Sequence, residues 1–78
     1  MHNAMPTNRQ MEVLALMAEG LNNSTIAERL WVSVRAVDRH TNNLISMLHP
    51  PIDCNKRVWL VLQYQAMQKD AWAEAQTG

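Results

Sequence analysis

The sequence predicts an all-α domain of four helices, three packed into a small core and a fourth following them. Three observations carry this expectation. Helix breakers are few and far apart: glycine occurs only at Gly20 and Gly78, and proline only at Pro6 and the pair Pro50-Pro51. Between them, apolar residues return at helical spacing. Several segments also open on a side chain that caps helices. The chain has 78 residues, which makes it a single domain over 1–78, with a core of about 6–69 and a tail over 70–78. A chain of this size buries only roughly 60% of the surface its unfolded form exposes.

The first segment runs from about Thr7 to Glu19. Thr7 is an N-cap, and Gln10 three residues later completes a capping box. Val13, Leu14, Leu16 and Met17 repeat at helical spacing, and Gly20 suits the left-handed position that ends a helix. Asn22 caps a short second helix, roughly Asn23 to Leu30, with Ile26, Ala27 and Leu30 facing inward. Trp31 and Val32 make a tight link in which Trp31 is placed to pack across the turn, and Ser33 is the next N-cap. The third segment, Val34 to about Leu48, sorts its residues by side. At ~100° per residue, Val34, Val37, Thr41, Leu44, Ile45 and Leu48 fall together. Arg35, Asp38, Arg39, Asn42 and Ser46 form a polar stripe opposite, with Asn43 beside it. Pro50-Pro51 ends this helix, having no N–H to donate. After a linker of about 49–54, Asp53 or Asn55 caps a fourth helix near Asn55 to Lys69, which either extends into the alanine-rich tail or frays there.

Two helices joined by a short turn, the second polar on its outer side, describe a helix-turn-helix. The run Thr7-x-Arg9-Gln10-x-Glu12-Val13-Leu14, then Gly20-Leu21-x-Asn23-x-x-Ile26-Ala27-x-x-Leu30, then Ser33, Val37, His40 and Leu48, resembles the LuxR/FixJ/GerE-type DNA-binding domain. Arg57 resembles the arginine that begins that family's last helix, and the likeness covers about Pro6 to Ala66. The short length resembles the stand-alone GerE-like members. The resemblance implies a helix-turn-helix made by the second and third helices, a third helix lying in the major groove, and a fourth helix pairing with its twin. It places base-facing positions at Asp38, Arg39, Asn42 and Asn43, and backbone-facing positions near Asn23, Ser24, Thr25, Ser33 and Arg35. It also implies a cytoplasmic, nucleoid-associated protein of bacterial or phage origin.

The chemistry of the stripe is coherent on its own. Arg39 can donate two hydrogen bonds to guanine O6 and N7, and Asn42 or Asn43 can bond adenine N6 and N7. Arg35, early in its helix, can reach a phosphate, and Ser33 and Thr25 sit at helix starts that attract phosphate oxygens. An ordinary solvated face is the plainer reading of the same residues. Asp38 stands where many family members carry a base. Three readings of it compete: accepting from cytosine N4, pairing with Arg35 at i−3, or repelling phosphates; the pairing is favoured. Thr25, Ala36 and Met47 also depart from the family's usual residues, and the linker holding Pro50-Pro51 is longer than usual.

Charge and composition exclude several classes. Apolar residues make up 47% and charged residues 18%, a globular balance. Lys+Arg and Asp+Glu are 7 each, so neither a strongly basic coat nor an acidic tail is present. Between Ser33 and Arg57, however, there are four basic and two acidic residues. The lone Cys54 excludes an internal disulfide framework and a cysteine-rich zinc site, and fits a reducing cytoplasm. His2, His40 and His49 lack metal-ligand spacing, so no metal, cofactor or small-molecule ligand is expected. No run reaches the ~18 apolar residues of a membrane span, and the N-terminus does not read as a secretory signal. No phosphate loop or nucleophile triad supports catalysis. The fourth helix is apolar on two sides. The residues alone leave open which side faces inward; the family resemblance implies Leu60, Val61 and Tyr64 inside, leaving Val58, Trp59, Leu62 and Ala66 outside as a homodimer surface. The expected function is a homodimeric, sequence-specific regulator bound to double-stranded DNA. The rival is a protein-interaction module of the same fold, which pairs with a larger LuxR-type transcriptional regulator and inhibits it without touching DNA.

Overall fold

The helix starts are set by three polar side chains near the head of the chain and a fourth after the linker. In the computed structural model, which describes residues 6–77 and their side chains through residue 69, Thr7 accepts from the Gln10 N–H at 3.2 Å. The Gln10 side chain accepts in return from the Thr7 N–H at 2.9 Å, completing the expected capping box and satisfying the buried Gln10 amide oxygen. This opens α1 (Asn8–Ala18). Asn22 accepts from the Thr25 N–H at 2.9 Å and opens α2 (Asn23–Leu30). Ser33 accepts from the Ala36 N–H at 3.0 Å and opens α3 (Val34–Leu48). Between the two capping candidates of the last helix, Asn55 is used. Its side chain accepts from the Val58 N–H at 3.0 Å at the head of α4 (Lys56–Thr77), which carries helix through the expected tail. His2 and the rest of residues 1–5 lie outside the described residues, as do the side chains beyond Lys69.

Helix ends follow a second rule. After α1, Gly20 takes φ +89°, while the Gly20 and Leu21 N–H groups return to the carbonyls of Met17 and Leu16 at 2.9 and 3.4 Å. This paired closure satisfies carbonyls that the helix leaves free. The same closure ends α2: the Trp31 and Val32 N–H groups return to Glu28 and Ala27 at 3.4 and 3.0 Å. Here the left-handed residue is Trp31, with φ 59° and ψ 42°. A residue with a Cβ costs roughly 1–2 kcal/mol in that conformation. His49 ends α3 in the left-handed region too, at φ 54°, consistent with a following proline that disfavours the right-handed helical conformation.

The core lies where the four helices meet. Val13, Leu14 and Met17 of α1, Ile26 and Ala27 of α2, Val37 and Leu44 of α3 and Leu60 of α4 are buried together. Helix α1 runs against both α3 and α4, and α2 against α3, so the helix-turn-helix pair is backed by α1 and braced from behind by α4. Leu21, Leu30, Val32, Ile45, Leu48, Val61, Tyr64 and Met67 are partly buried around that centre.

Three apolar residues sit differently from expectation. Trp31 does not pack across the turn: it is 93% exposed, because the left-handed backbone aims its side chain away from both helices. Val34 is also half in solvent, since it opens α3 one turn before the buried Val37. Trp59 is not on the outer side of α4; it is partly buried against the core, on the flank next to Leu60. The core residues nonetheless dominate stability. Replacing Leu60 by Ala empties the one fully buried position that α4 supplies among the described side chains. The expected loss is about 2–5 kcal/mol, read as a lowered urea midpoint at unchanged slope.

Candidate functional site

The buried row Val37–Leu44 fixes which side of α3 faces out. Arg35, Asp38, Arg39, Asn42, Asn43 and Ser46 are all exposed. At 1.5 Å of rise per residue, Arg35 to Asn42 extends over ~10 Å of a single rigid surface. Ser33 lies at its head, its hydroxyl oxygen engaged by the Ala36 N–H, which leaves the hydroxyl proton free to donate outward. At the start of α2, Ser24 is exposed and Thr25 half-buried. The structure therefore brings Arg35, Arg39, Asn42 and Asn43 onto one exposed face, with Ser33 at the head of the helix and Ser24 and Thr25 at the neighbouring helix start.

Asn23 and Asp38 are drawn into a different arrangement. The favoured pairing of Asp38 with Arg35 does not form: among the described residues the one ion pair is Arg9–Glu12, at 3.4 Å on the surface of α1. Instead the Asn23 amide donates to Asp38 Oδ1 at 2.7 Å. The Asn23 carbonyl oxygen accepts from Arg57 Nη1 at 2.9 Å, and Arg57 Nη2 donates to the Leu21 main-chain carbonyl at 2.9 Å. The reason is geometric. A half-buried guanidinium reaching from the first turn of α4 needs acceptors, and the Leu21 and Asn23 oxygens offer two in its plane. Asn23 then turns its amide N–H groups toward α3, where Asp38 is the acceptor. The Asp38 carboxylate is thereby held on the α2 side of the exposed face. Nothing in the local periodicity marks this relay, because Arg57 and Asn23 are 34 residues apart.

His40 shares α3 but not its outer face. It is half-buried, and its Nδ1 is enclosed without a hydrogen-bond partner among the described residues. Among those residues no cluster of three His, Cys, Asp or Glu side chains is placed to hold a metal ion. Cys54 is in the linker, where its thiol lies 3.1 Å from the Pro51 carbonyl. None of the described helices is long and apolar enough to cross a membrane. On α4, Val58 and Leu62 are each 54% exposed and Ala66 is exposed, one helical turn apart in succession.

Comparison with known proteins shows what the sequence is similar to. The pattern of the GerE family, described as bacterial regulatory proteins of the luxR family, matches residues 6–49, which takes in α1, α2 and α3. The chain is 40% identical over 50 residues to the transcriptional regulatory protein LiaR of Bacillus subtilis, a match covering 59% of this chain and 24% of LiaR. It is 48% identical over 42 residues to the transcriptional regulatory protein LnrK of the same organism, covering 54% and 19%. The oxygen regulatory protein NreC of Staphylococcus epidermidis is 40% identical over 43 residues, covering 55% and 20%. The matched region is thus a quarter or less of the length of these relatives. No solved structure matches the chain.

The relay is open to direct measurement. In a double-mutant cycle of Arg57→Ala and Asn23→Ala, the coupling in folding free energy is expected at about 0.5–3 kcal/mol. The same cycle run with Arg57 and Arg35 is expected to add without coupling, since nothing joins those two side chains.

Proposed function

The chain belongs to the GerE family of bacterial luxR-type regulatory proteins, and from that membership we propose that it is a sequence-specific DNA-binding transcriptional regulator acting as a homodimer. The observation that carries the proposal is the exposed row Arg35, Arg39 and Asn42 on a helix whose opposite side is clamped in the core. Rigid presentation matters, because base edges are read by hydrogen bonds whose donors must arrive in a fixed geometry. The GerE family is one of regulatory proteins rather than enzymes.

In this reading α3 enters the major groove. Arg39 donates to guanine O6 and N7, and Asn42 or Asn43 bonds adenine N6 and N7. Arg35 neutralises a phosphate. Ser33, Ser24 and Thr25 meet phosphate oxygens at the two helix starts, where free N–H groups and the helix dipole favour anions. Asn23 and Asp38 take a positioning part instead: their mutual bond sets α2 against α3 and keeps the carboxylate aside from the phosphates. Val58, Leu62 and Ala66 of α4 pair with the same residues of a second copy. Two-fold symmetry then requires an inverted-repeat site with half-sites about one DNA turn apart. The protein acts in the cytoplasm, on the nucleoid.

One observation favours a second reading. The formal net charge is zero, which is low for a duplex binder. The same fold can instead pair with a larger LuxR-type regulator and inhibit it without contacting DNA. Salt titration decides between the two. Duplex affinity is expected to fall linearly in log–log form with a modest slope, because few phosphates are neutralised. Absence of duplex binding at low salt, together with tight binding to another regulator, decides for the inhibitor. Within the DNA reading, Arg39→Ala is expected to relax preference at one base pair, a change of about 1–3 kcal/mol in discrimination. Arg35→Ala is expected to weaken all duplexes alike and to reduce the salt slope by about 1. Leu62→Asp is expected to shift sedimentation toward monomer; a profile like that of the unaltered chain rejects this face of α4 as the interface.

A further inference from the structure

Trp31 occupies the turn of the helix-turn-helix in a conformation that suits glycine or asparagine, yet its indole is 93% exposed and covers no part of the core. Neither backbone preference nor packing accounts for tryptophan there. Its surroundings indicate what does. It lies two residues before Ser33, the cap of α3, and four before Arg35. Arg29, two residues earlier in the last turn of α2, is exposed like Arg35, and Val34 beside it is 44% exposed. Along the chain, the turn therefore sets one exposed indole between exposed Arg29 and Arg35, with Ser33 and the exposed Glu28 alongside.

From this we infer that Trp31 is a DNA-contacting residue that lies against the sugar–phosphate strand at the rim of the groove α3 occupies. The inference rests on the reading of α3 as a duplex-binding helix. The match is chemical. A nucleic-acid strand alternates an apolar deoxyribose with an anionic phosphate, and the turn flanks an apolar ring with Arg29 and Arg35, the one carboxylate, Glu28, lying further back on α2. The indole plane covers the sugar, its Nε1–H donates to a phosphate oxygen, and Arg29 and Arg35 take the flanking phosphates. A protein partner docked on this turn requires a broader apolar surface than one indole ringed by Glu28, Arg29, Ser33 and Arg35 offers.

The test pairs affinity with folding and quenching. Trp31→Gly removes the ring and relieves the left-handed backbone, so its Tm is expected to match or exceed that of the unaltered chain. Its affinity for any duplex is expected to drop about tenfold, the equivalent of leaving some 60 Å² of apolar surface unburied. The salt slope is expected to stay the same, since an indole displaces no counterion. Trp31→Phe, which keeps a ring but no donor, is expected to fall between the two. In the unaltered chain, saturating duplex is expected to shield from acrylamide the share of tryptophan emission that Trp31→Gly lacks. If the unaltered chain binds duplex while Trp31→Gly binds equally well and Trp31 stays open to acrylamide, the indole contact is overturned and the α3 reading stands. If the unaltered chain binds no duplex, both fall. Shielding of Trp31 by an added protein, without any by duplex, overturns the contact as well.

Discussion

The buried Val37 and Leu44 decide which side of α3 faces out, and one guanidinium ties the start of α2 to α4 beside that face. Arg57, in the first turn of α4, bonds the Leu21 carbonyl just past α1 and the Asn23 side chain at the head of α2; Asn23 passes the contact on to Asp38 in α3. The α1–α2 connection, α2, α3 and α4 are thereby tied through four side-chain or main-chain groups. The need for such a tie follows from size. Helix α2 has eight residues and buries only Ile26 and Ala27, so a polar tie at its first turn adds to a small apolar contact. A hydrogen bond to a charged group contributes about 1.5–3 kcal/mol, comparable to burying one more aliphatic side chain. It also has direction, which apolar contact lacks. Beside the eight apolar residues buried among the described residues, that bond adds a directional link between α2 and α3.

Asp38 illustrates why a residue's type does not settle its part. Alone on the outer face of a helix that meets phosphates, a carboxylate is a liability. Bonded to Asn23, it acts as the far end of a bracket that begins at Arg57. Arg35 and Arg39 are then left without a carboxylate partner on their own helix, so both guanidiniums remain available to whatever the face meets. A lysine or arginine at position 38 adds a phosphate contact but removes the acceptor that Asn23 needs.

Local signals in the sequence were sufficient for most of the fold. Capping side chains at Thr7, Asn22 and Ser33 and the stop at Gly20 are read within four residues of themselves, and the helices begin where those residues place them. The outer stripe of α3 is legible for the same reason, being a consequence of helical spacing. What the sequence withheld is long-range or depends on one torsion. The partner of Asp38 lies 15 residues away, and that of Arg57 lies 34 away; a search at i±3 and i±4 finds neither. Trp31 carries no local mark of a left-handed backbone, so an indole expected against the turn faces solvent. Trp59 sits on the boundary between the two apolar sides of α4, where a rotation of a few tens of degrees about the helix axis moves it from outside to core flank.

The zero net charge and the built face fit together once affinity and specificity are separated. Non-specific duplex binding scales with the number of phosphates neutralised, and α3 with its caps offers few cations for that purpose. Base contacts and apolar contacts to the strand do not depend on net charge. In the proposed reading, each subunit therefore draws a larger share of its binding from Arg39, Asn42 and the turn than a basic domain does. A single copy with so few phosphate contacts holds DNA weakly. Joining two through Val58, Leu62 and Ala66 doubles the base contacts and makes the second half-site an intramolecular encounter. In that proposal the exposed apolar row on α4 and the sparse charge on α3 are two parts of one arrangement, the pairing surface supplying the affinity that the charge does not.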